Sequence, residues 1–271
     1  MVSFTALFAS GLLATSALAA PLNHVKRDSS TSSSKRGAAY NDISTVSILS
    51  SAGTISWAYD WGYYSFGSLP YNVEYVPMLW GAQYFTGWFA AIETALASGS
   101  DYILGFNEPD TASQAGMSPA AAASYYNQYI TPYSGQAKLI SPAVTSSSAS
   151  GAGLSWFTEF MGDCSSCGLT GLAVHWYGDT ADEFQSFITQ AITTAQEYSL
   201  TEVWITEFSL NADVNGISDP SATAAFLDAV QPWLDSQPMV TRYSYFYCAN
   251  GYLLSDDTLN AAGEAYISAS N

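Results

Sequence analysis

The chain alternates between short apolar runs of strand character and longer stretches whose apolar residues recur at helical spacing. Strand-like runs fall at residues 37–40, 54–59, 74–79, 101–108, 138–144, 169–177, 202–208 and 241–247. Helical patterns follow at 43–48, 87–97, 118–133, 154–161, from 180 through 192, 219–234 and 261–267. Three of them carry start signals: Ser118 before Pro119, a capping box from Thr180 to Glu183, and Asp219 before Pro220. A Gly- and Tyr-rich stretch between the second and third strand runs lacks a helical pattern. Strands joined in sequence by helices run parallel. Eight such units predict an α/β fold, a single (β/α)8 TIM barrel over residues 37–271 with a missing or short helix after the second strand. An open doubly wound sheet is the alternative, but no Gly-rich phosphate loop accompanies it.

Two strand runs end in a glutamate. In Gly105-Phe106-Asn107-Glu108-Pro109-Asp110, Pro109 stops the ladder and is expected to hold Glu108 extended. A period of two puts Leu104, Phe106 and Glu108 on one face, and Val203, Ile205 and Glu207 on another. Barrel active sites lie at the C-terminal strand ends. Two carboxyls converging there are the minimal equipment of a glycosidase. Either glutamate could instead cap a helix or pair with a base, yet Lys138 and Arg242 are the only basic residues after residue 36. Salt bridges cannot easily satisfy two inward carboxylates.

Residues 1–20 are expected to be a secretory signal peptide: the apolar run at 4–13 is too short to span a bilayer, and Ala17-Leu18-Ala19 resembles a cleavage site. Residues 21–36, Ser-rich with dibasic pairs Lys26-Arg27 and Lys35-Arg36, are expected to be a disordered propeptide. A secreted protein of the extracellular space or cell wall follows. The formal net charge is −17, and four of the six basic residues lie in that segment. Such a surface repels phosphate backbones and anionic lipid, which excludes nucleic-acid and membrane partners. A neutral or cationic substrate fits, with a monomer expected.

Trp57, Tyr59, Trp61, Trp80, Trp176, Tyr177, Tyr245 and Tyr247 gather at predicted strand ends, where sugar rings could stack. Alternation sends about half of them under the helices. Asn107 reads either as a turn residue or as a donor to a sugar 2-hydroxyl. His175 reads equally as structural or as orienting a carboxylate. Asp60, Asp110 and Asp179 read as loop hydrogen-bond acceptors. For Cys164 and Cys167 a local disulfide is preferred over a zinc half-site or redox pair, because no second pair exists, and Cys248 is left as a buried thiol. No metal and no organic cofactor is implied.

Taken together, residues 105–110 with Val76-Pro77-Met78-Leu79-Trp80-Gly81, Val174-His175-Trp176-Tyr177-Gly178, Trp204-Ile205-Thr206-Glu207-Phe208 and Arg242-Tyr243-Ser244-Tyr245-Phe246 resemble the fungal glycosyl hydrolase catalytic core proteins of glycoside hydrolase family 128, in clan A. The resemblance spans residues 37–267 and implies a retaining endo-β-1,3-glucanase acting on β-1,3-glucan, with Glu108 as acid/base, Glu207 as nucleophile and Asn107 as the 2-hydroxyl donor. It also implies sugar contacts from Trp57, Trp80, Trp176 and Tyr177. Tyr245 stands where clan relatives commonly carry Trp, and the pair Cys164 and Cys167 matches a fungal feature. Retention requires carboxyls ~5 to 5.5 Å apart, and Glu108 is expected to be protonated at rest, its pKa raised by burial and by Glu207. Another clan A β-glycanase acting on β-1,4-glucan, or a wall protein that binds glucan without cutting it, are the alternatives.

Overall fold

The computed structural model describes residues 34–268. The expected signal peptide, and residues 21–33 of the expected propeptide, lie outside them. Eight parallel strands form two curled sheets. One holds β1 (Gly37–Ala39), β2 (Trp57–Tyr59) and β3 (Glu74–Tyr75); the other holds β4 (Tyr102–Ile103), β5 (Lys138–Val144), β6 (Leu169–Gly178), β7 (Glu202–Leu210) and β8 (Val240–Tyr245). Parallel bridges Met78 to Leu104 and Arg36 to Tyr243 link the sheets at both edges.

The helices are α1 (Ile43–Leu49), α2 (Trp88–Ala97), α3 (Pro119–Tyr129), α4 (Gly153–Asp163), α5 (Ala181–Glu197), α6 (Asn211–Val214), α7 (Pro220–Ser236) and α8 (Ala261–Ile267). Their starts follow the sequence signals: the side chains of Ser118, Thr180 and Asp219 accept from the amides of Ala121, Glu183 and Ser221. Residues 60–73 between β2 and β3 carry no helix. A short hairpin of β9 (Leu254–Ser255) and β10 (Thr258–Leu259), which periodicity did not signal, precedes α8. No helix among the described residues is long and apolar enough to cross a membrane.

Residues 34–36 belong to the folded domain rather than to a disordered leader. Lys35 Nζ donates to the carbonyls of Leu234, Asp235 and Gln237 at 2.8–3.0 Å, at the C-terminal end of α7 where a cation is favoured. Arg36 is buried, donating to the Tyr243 hydroxyl and pairing with Asp235 at 3.2 Å.

Two apolar clusters divide the interior. Ala39, Trp57, Tyr59, Val76, Met78, Leu104, Ile140, Ala143, Ala173 and Trp204 come only from strands and their direct continuations, so this cluster fills the concave side. Val203, Ile205 and Phe106 lie in the larger cluster shared with helix residues such as Phe157, Phe184 and Leu227. The expected parity therefore breaks on both glutamate-bearing segments. In β7, Val174 pairs with Ile205 but His175 pairs with Glu207, leaving Thr206 as an extra residue. That bulge turns Glu207 to the concave side although Val203 and Ile205 face the helices. After β4, Leu104 faces inward and Phe106 outward, with Gly105 between them. A Cβ at Gly105 would sit 2.6 Å from Pro142 N and 2.7 Å from the Ser141 carbonyl carbon. Only a glycine lets this segment approach β5 so closely.

Gly105→Ala is thus expected to destabilise the domain by roughly 1–3 kcal/mol, because the neighbour is backbone and cannot rotate away. Urea unfolding should show a lower midpoint with an unchanged slope.

Candidate active site

Beyond Gly105 the chain pairs once more with β5, through Asn107 and Ala143, before it turns. The Glu108 amide still donates to Ala143 O at 2.8 Å, while its φ of +42° lies in the left-handed region. Glu108 is therefore not extended. The chain reverses at this residue into the loop before α3, and Pro109 follows the reversal instead of straightening it. A non-glycine residue held there costs on the order of 1–3 kcal/mol and tends to mark a functional position.

His175, on the inward face of β6, joins the two segments. It is fully buried, with Nδ1 2.7 Å from Glu108 Oε1 and 3.4 Å from Glu207 Oε2, and Nε2 2.9 Å from Thr206 Oγ1. One atom each of Glu108, His175 and Glu207 lie within 4.8 Å of one another. The bulge residue Thr206 thus fixes the imidazole from behind. Glu207 accepts from Trp61 Nε1 at 2.7 Å and from the Tyr177 hydroxyl. Burial and the nearby carboxylate of Glu207 raise the Tyr177 pKa, so it stays a donor. Chemically the three groups could also offer ligand atoms to a cation. Here N–H and O–H donors already occupy the carboxylate oxygens that face one another.

Burial raises the pKa of Glu108, but the hydrogen bond and the charge of His175 outweigh it and hold the carboxyl below its ordinary value. Burial in turn opposes charge on His175, yet the carboxylates of Glu207 and then Glu108 carry it above the usual 6.5. The expectation that Glu108 rests protonated is corrected on this point. The surrounding charges favour the proton on the imidazole side of the pair, because the imidazole faces two carboxylates and Glu108 faces one cation.

A cleft of about 690 Å³ opens over the carboxylates, walled by Trp61, Trp80, Tyr177, Phe246 and Tyr252, with Asn107 and Gln114 also reaching it. Asn107 Nδ2 donates to Gln114 Oε1 at 3.4 Å, and its buried Oδ1 has no partner among the described residues. Of the residues expected at the site, Glu108, Glu207, Asn107, Trp80 and Tyr177 line this cleft, and His175 lies behind it. Three do not reach it. Trp57 is enclosed on the concave side against Tyr59 and Trp204. Trp176 faces outward onto Phe184 and Phe226. Tyr245 is buried, donating to Asp213. Strand alternation explains Trp176 and Tyr245, which occupy outward positions, while Trp57 faces inward but lies below the cleft among the concave-side residues.

Trp61, grouped in the sequence only with the other strand-end aromatics, reaches the site as a donor to Glu207. It sits at φ +59°, next to Asp60, whose carboxylate accepts from Gly62 N and the Tyr75 hydroxyl. Asp110 likewise accepts from Thr145 and Gly153, and Asp179 from Asn211. All three aspartates are loop acceptors, as their types suggest. Gln114 and Tyr252 carried no signal beyond composition, and Phe246 only its place in the Arg242–Phe246 motif. Cys164 and Cys167 form a disulfide, and burial pushes the free thiol of Cys248 up to about 12.

Residues 37–266 match the family described as the glycosyl hydrolase catalytic core. A solved structure of a family 128 subgroup III curdlan-specific exo-β-1,3-glucanase from Blastomyces gilchristii superposes with a TM-score of 0.81 at 40% identity, covering 88% of this chain and all of that one. The chain belongs to glycoside hydrolase family 128. The family 128 structure of a subgroup IV endo-β-1,3-glucanase from Lentinula edodes matches at TM-score 0.70 and 27% identity, over 87% of this chain and all of that one. The alkali-sensitive linkage protein 1 of Schizosaccharomyces pombe is 33% identical over 79% of the chain, and the match spans 40% of that relative's length.

For this family 128 domain, His175→Asn is expected to raise the pKa of Glu108, since burial then acts without the opposing imidazole. Carbon-detected NMR titration of the glutamate carboxyls would measure it. An unchanged or lower value would contradict the assignment of the proton.

Proposed function

We propose that the domain hydrolyses β-1,3-glucan with retention of configuration, Glu207 acting as nucleophile and Glu108 as acid/base, on a closed (β/α)8 barrel. The observation that carries the mechanism is the proximity of the two carboxylates. A closest approach within 4.8 Å fits carboxyl groups ~5 to 5.5 Å apart, whereas inversion needs a gap above ~6.5 Å to admit water. The linkage comes from the relatives, β-1,3-glucanases in both structures named above. The bridges at both sheet edges support the closed barrel.

In the first step Glu207 bonds to the anomeric carbon and loses its negative charge. That charge is the strongest influence keeping His175 protonated. As it vanishes, the imidazole proton moves across the 2.7 Å contact to Glu108, which delivers it to the departing oxygen. In the second step Glu108 takes a proton from water, the water oxygen bonds to the anomeric carbon, the Glu207 ester bond breaks, and the restored charge on Glu207 draws the proton from Glu108 back to His175. Glu108 thus receives its proton when the leaving group needs it. Asn107 is suited to a sugar 2-hydroxyl, because it lines the cleft and its Nδ2 is held only by a 3.4 Å bond to Gln114 Oε1.

Internal cleavage is the pattern the motifs imply. Release from a chain end is the second reading, favoured by the higher likeness to the exo-acting relative than to the endo-acting one. An extracellular or wall location accords with the relationship to the linkage protein.

Digestion of linear β-1,3-glucan and of β-1,4-glucan separates these readings. Oligosaccharides of mixed length are expected from the β-1,3 polymer alone; glucose as sole product would establish chain-end attack instead. Proton NMR of the first products should show the β-anomer before mutarotation, and an initial α-anomer would overturn retention. Glu207→Gln should lower the rate by about 10³-fold or more. The alkaline limb of the rate profile should lie above pH 6.5, since activity needs the proton of the Glu108–His175 pair and that proton leaves as pH rises through the raised His175 value.

A further inference from the structure

The face that leads away from Trp80 has an unusual chemistry for this protein. In a chain of net charge −17, residues 61–92 contain one charged side chain, Glu74, and it is buried against Arg242. The same stretch exposes large rings: Tyr64 is 41% exposed, Phe66 82% and Tyr84 40%. These rings are connected to one another and to the cleft. Trp80, which lines the cleft, lies 6.3 Å from Tyr84; Tyr84 lies 5.9 Å from Tyr63; Tyr63 lies 4.9 Å from Tyr64; and Tyr64 lies 6.2 Å from Phe66. Each step is edge-to-face, an arrangement in which one ring supports the next while the exposed members keep part of their surface open to solvent.

Folding alone does not require this ribbon. Phe66 packs little of its surface against the domain and occupies the left-handed region, at φ +49°. A large apolar ring held there in contact with water costs stability, and contiguous exposed apolar surface of this kind marks a binding face. We propose that the ribbon from Tyr84 to Phe66 is a second binding region for β-1,3-glucan, an extension of the cleft that holds the polymer beyond the sugars being cut. This rests on the glucanase reading above. The occupant is argued from continuity and charge. The ribbon starts at a cleft-wall residue, its polar groups are hydroxyls and amides rather than ions, and an uncharged polymer is the substrate that could follow it out of the cleft. Exposed rings take up the apolar faces of sugars, and the half-exposed Tyr64 and Tyr84 carry neutral hydroxyls for hydrogen bonding.

The test compares a substrate that reaches the ribbon with one that does not. Co-sedimentation with particulate linear β-1,3-glucan and turnover of laminaritriose would be measured for the full chain and for the Tyr64→Ala, Phe66→Ala double variant. The double variant is expected to lose about 5-fold or more in retention on the particles, while trisaccharide turnover stays within about two-fold. Retention equal to that of the unaltered chain would overturn the ribbon and leave the glucanase reading intact. Loss of trisaccharide turnover would show damage to the domain, and the single Phe66→Ala variant, at the most exposed ring, then decides by the same two readouts. Failure of the unaltered chain to cleave any β-1,3 substrate would sink the glucanase reading itself. Retention of both chains on cellulose to the same degree as on β-1,3-glucan would reveal general stickiness and also overturn the proposal.

Discussion

The structure turns on one buried imidazole held between two carboxylates. His175 has no access to water, so its charge is tolerable only because Glu108 and Glu207 face it and Thr206 closes its far side. Removing one partner of such a cluster leaves an uncompensated buried charge, which is why its three members constrain one another so tightly. The chain bends in two places to bring them together. A bulge turns Glu207 inward, and a glycine pressed against β5 turns the Asn107-Glu108 corner. Both are departures from regular strand geometry, and both fall within three residues of a carboxylate.

The backbone around the cleft is correspondingly strained. Glu108 and Trp61 both occupy the left-handed region, and both reach the same small volume, one as a carboxylate and the other as an indole donor to Glu207. Neither conformation would persist without compensation. The Glu108 amide keeps its bond to Ala143, and the Trp61 loop is anchored by Asp60, Tyr75 and Gly62. The consequence for chemistry is pre-organisation. Donors already point at Glu207, so little needs to reorient when its charge moves.

The sequence made the element order legible because the caps and helical spacing are local properties. Ser118, Thr180 and Asp219 begin helices for reasons contained within four residues of each. The two glutamates were legible because each ends an apolar run. Side-chain direction was not. Counting by twos placed Val203 and Ile205 on the face of Glu207, and the bulge at Thr206, a property of pairing with β6, reverses that. The aromatic residues suffered most, since Trp57, Trp176 and Tyr245 are equally good sugar platforms by type and are buried in three different ways. Trp61 is the converse case. Its role depends on a φ that no residue type at that position announces.

The two ends of the concave interior also carry opposite electrostatic solutions. Away from the cleft, Arg242 pairs with Glu74 and lies over the rings of Tyr102 and Trp204, 4.3 and 4.7 Å from their centroids. Here a cation is matched by a carboxylate and by ring faces. At the cleft end the balance is deliberately incomplete: two carboxylates share one imidazole, so one proton always has two places to be. An arginine in place of His175 would satisfy both carboxylates and hold them permanently ionised, because a guanidinium does not give up its proton. Histidine is the residue that can carry charge between the pair and still release its proton, as the proposed attack by Glu207 would require. The same acidic cluster that makes the site costly to fold is therefore what, on the proposed mechanism, would let one side chain alternate between acid and base.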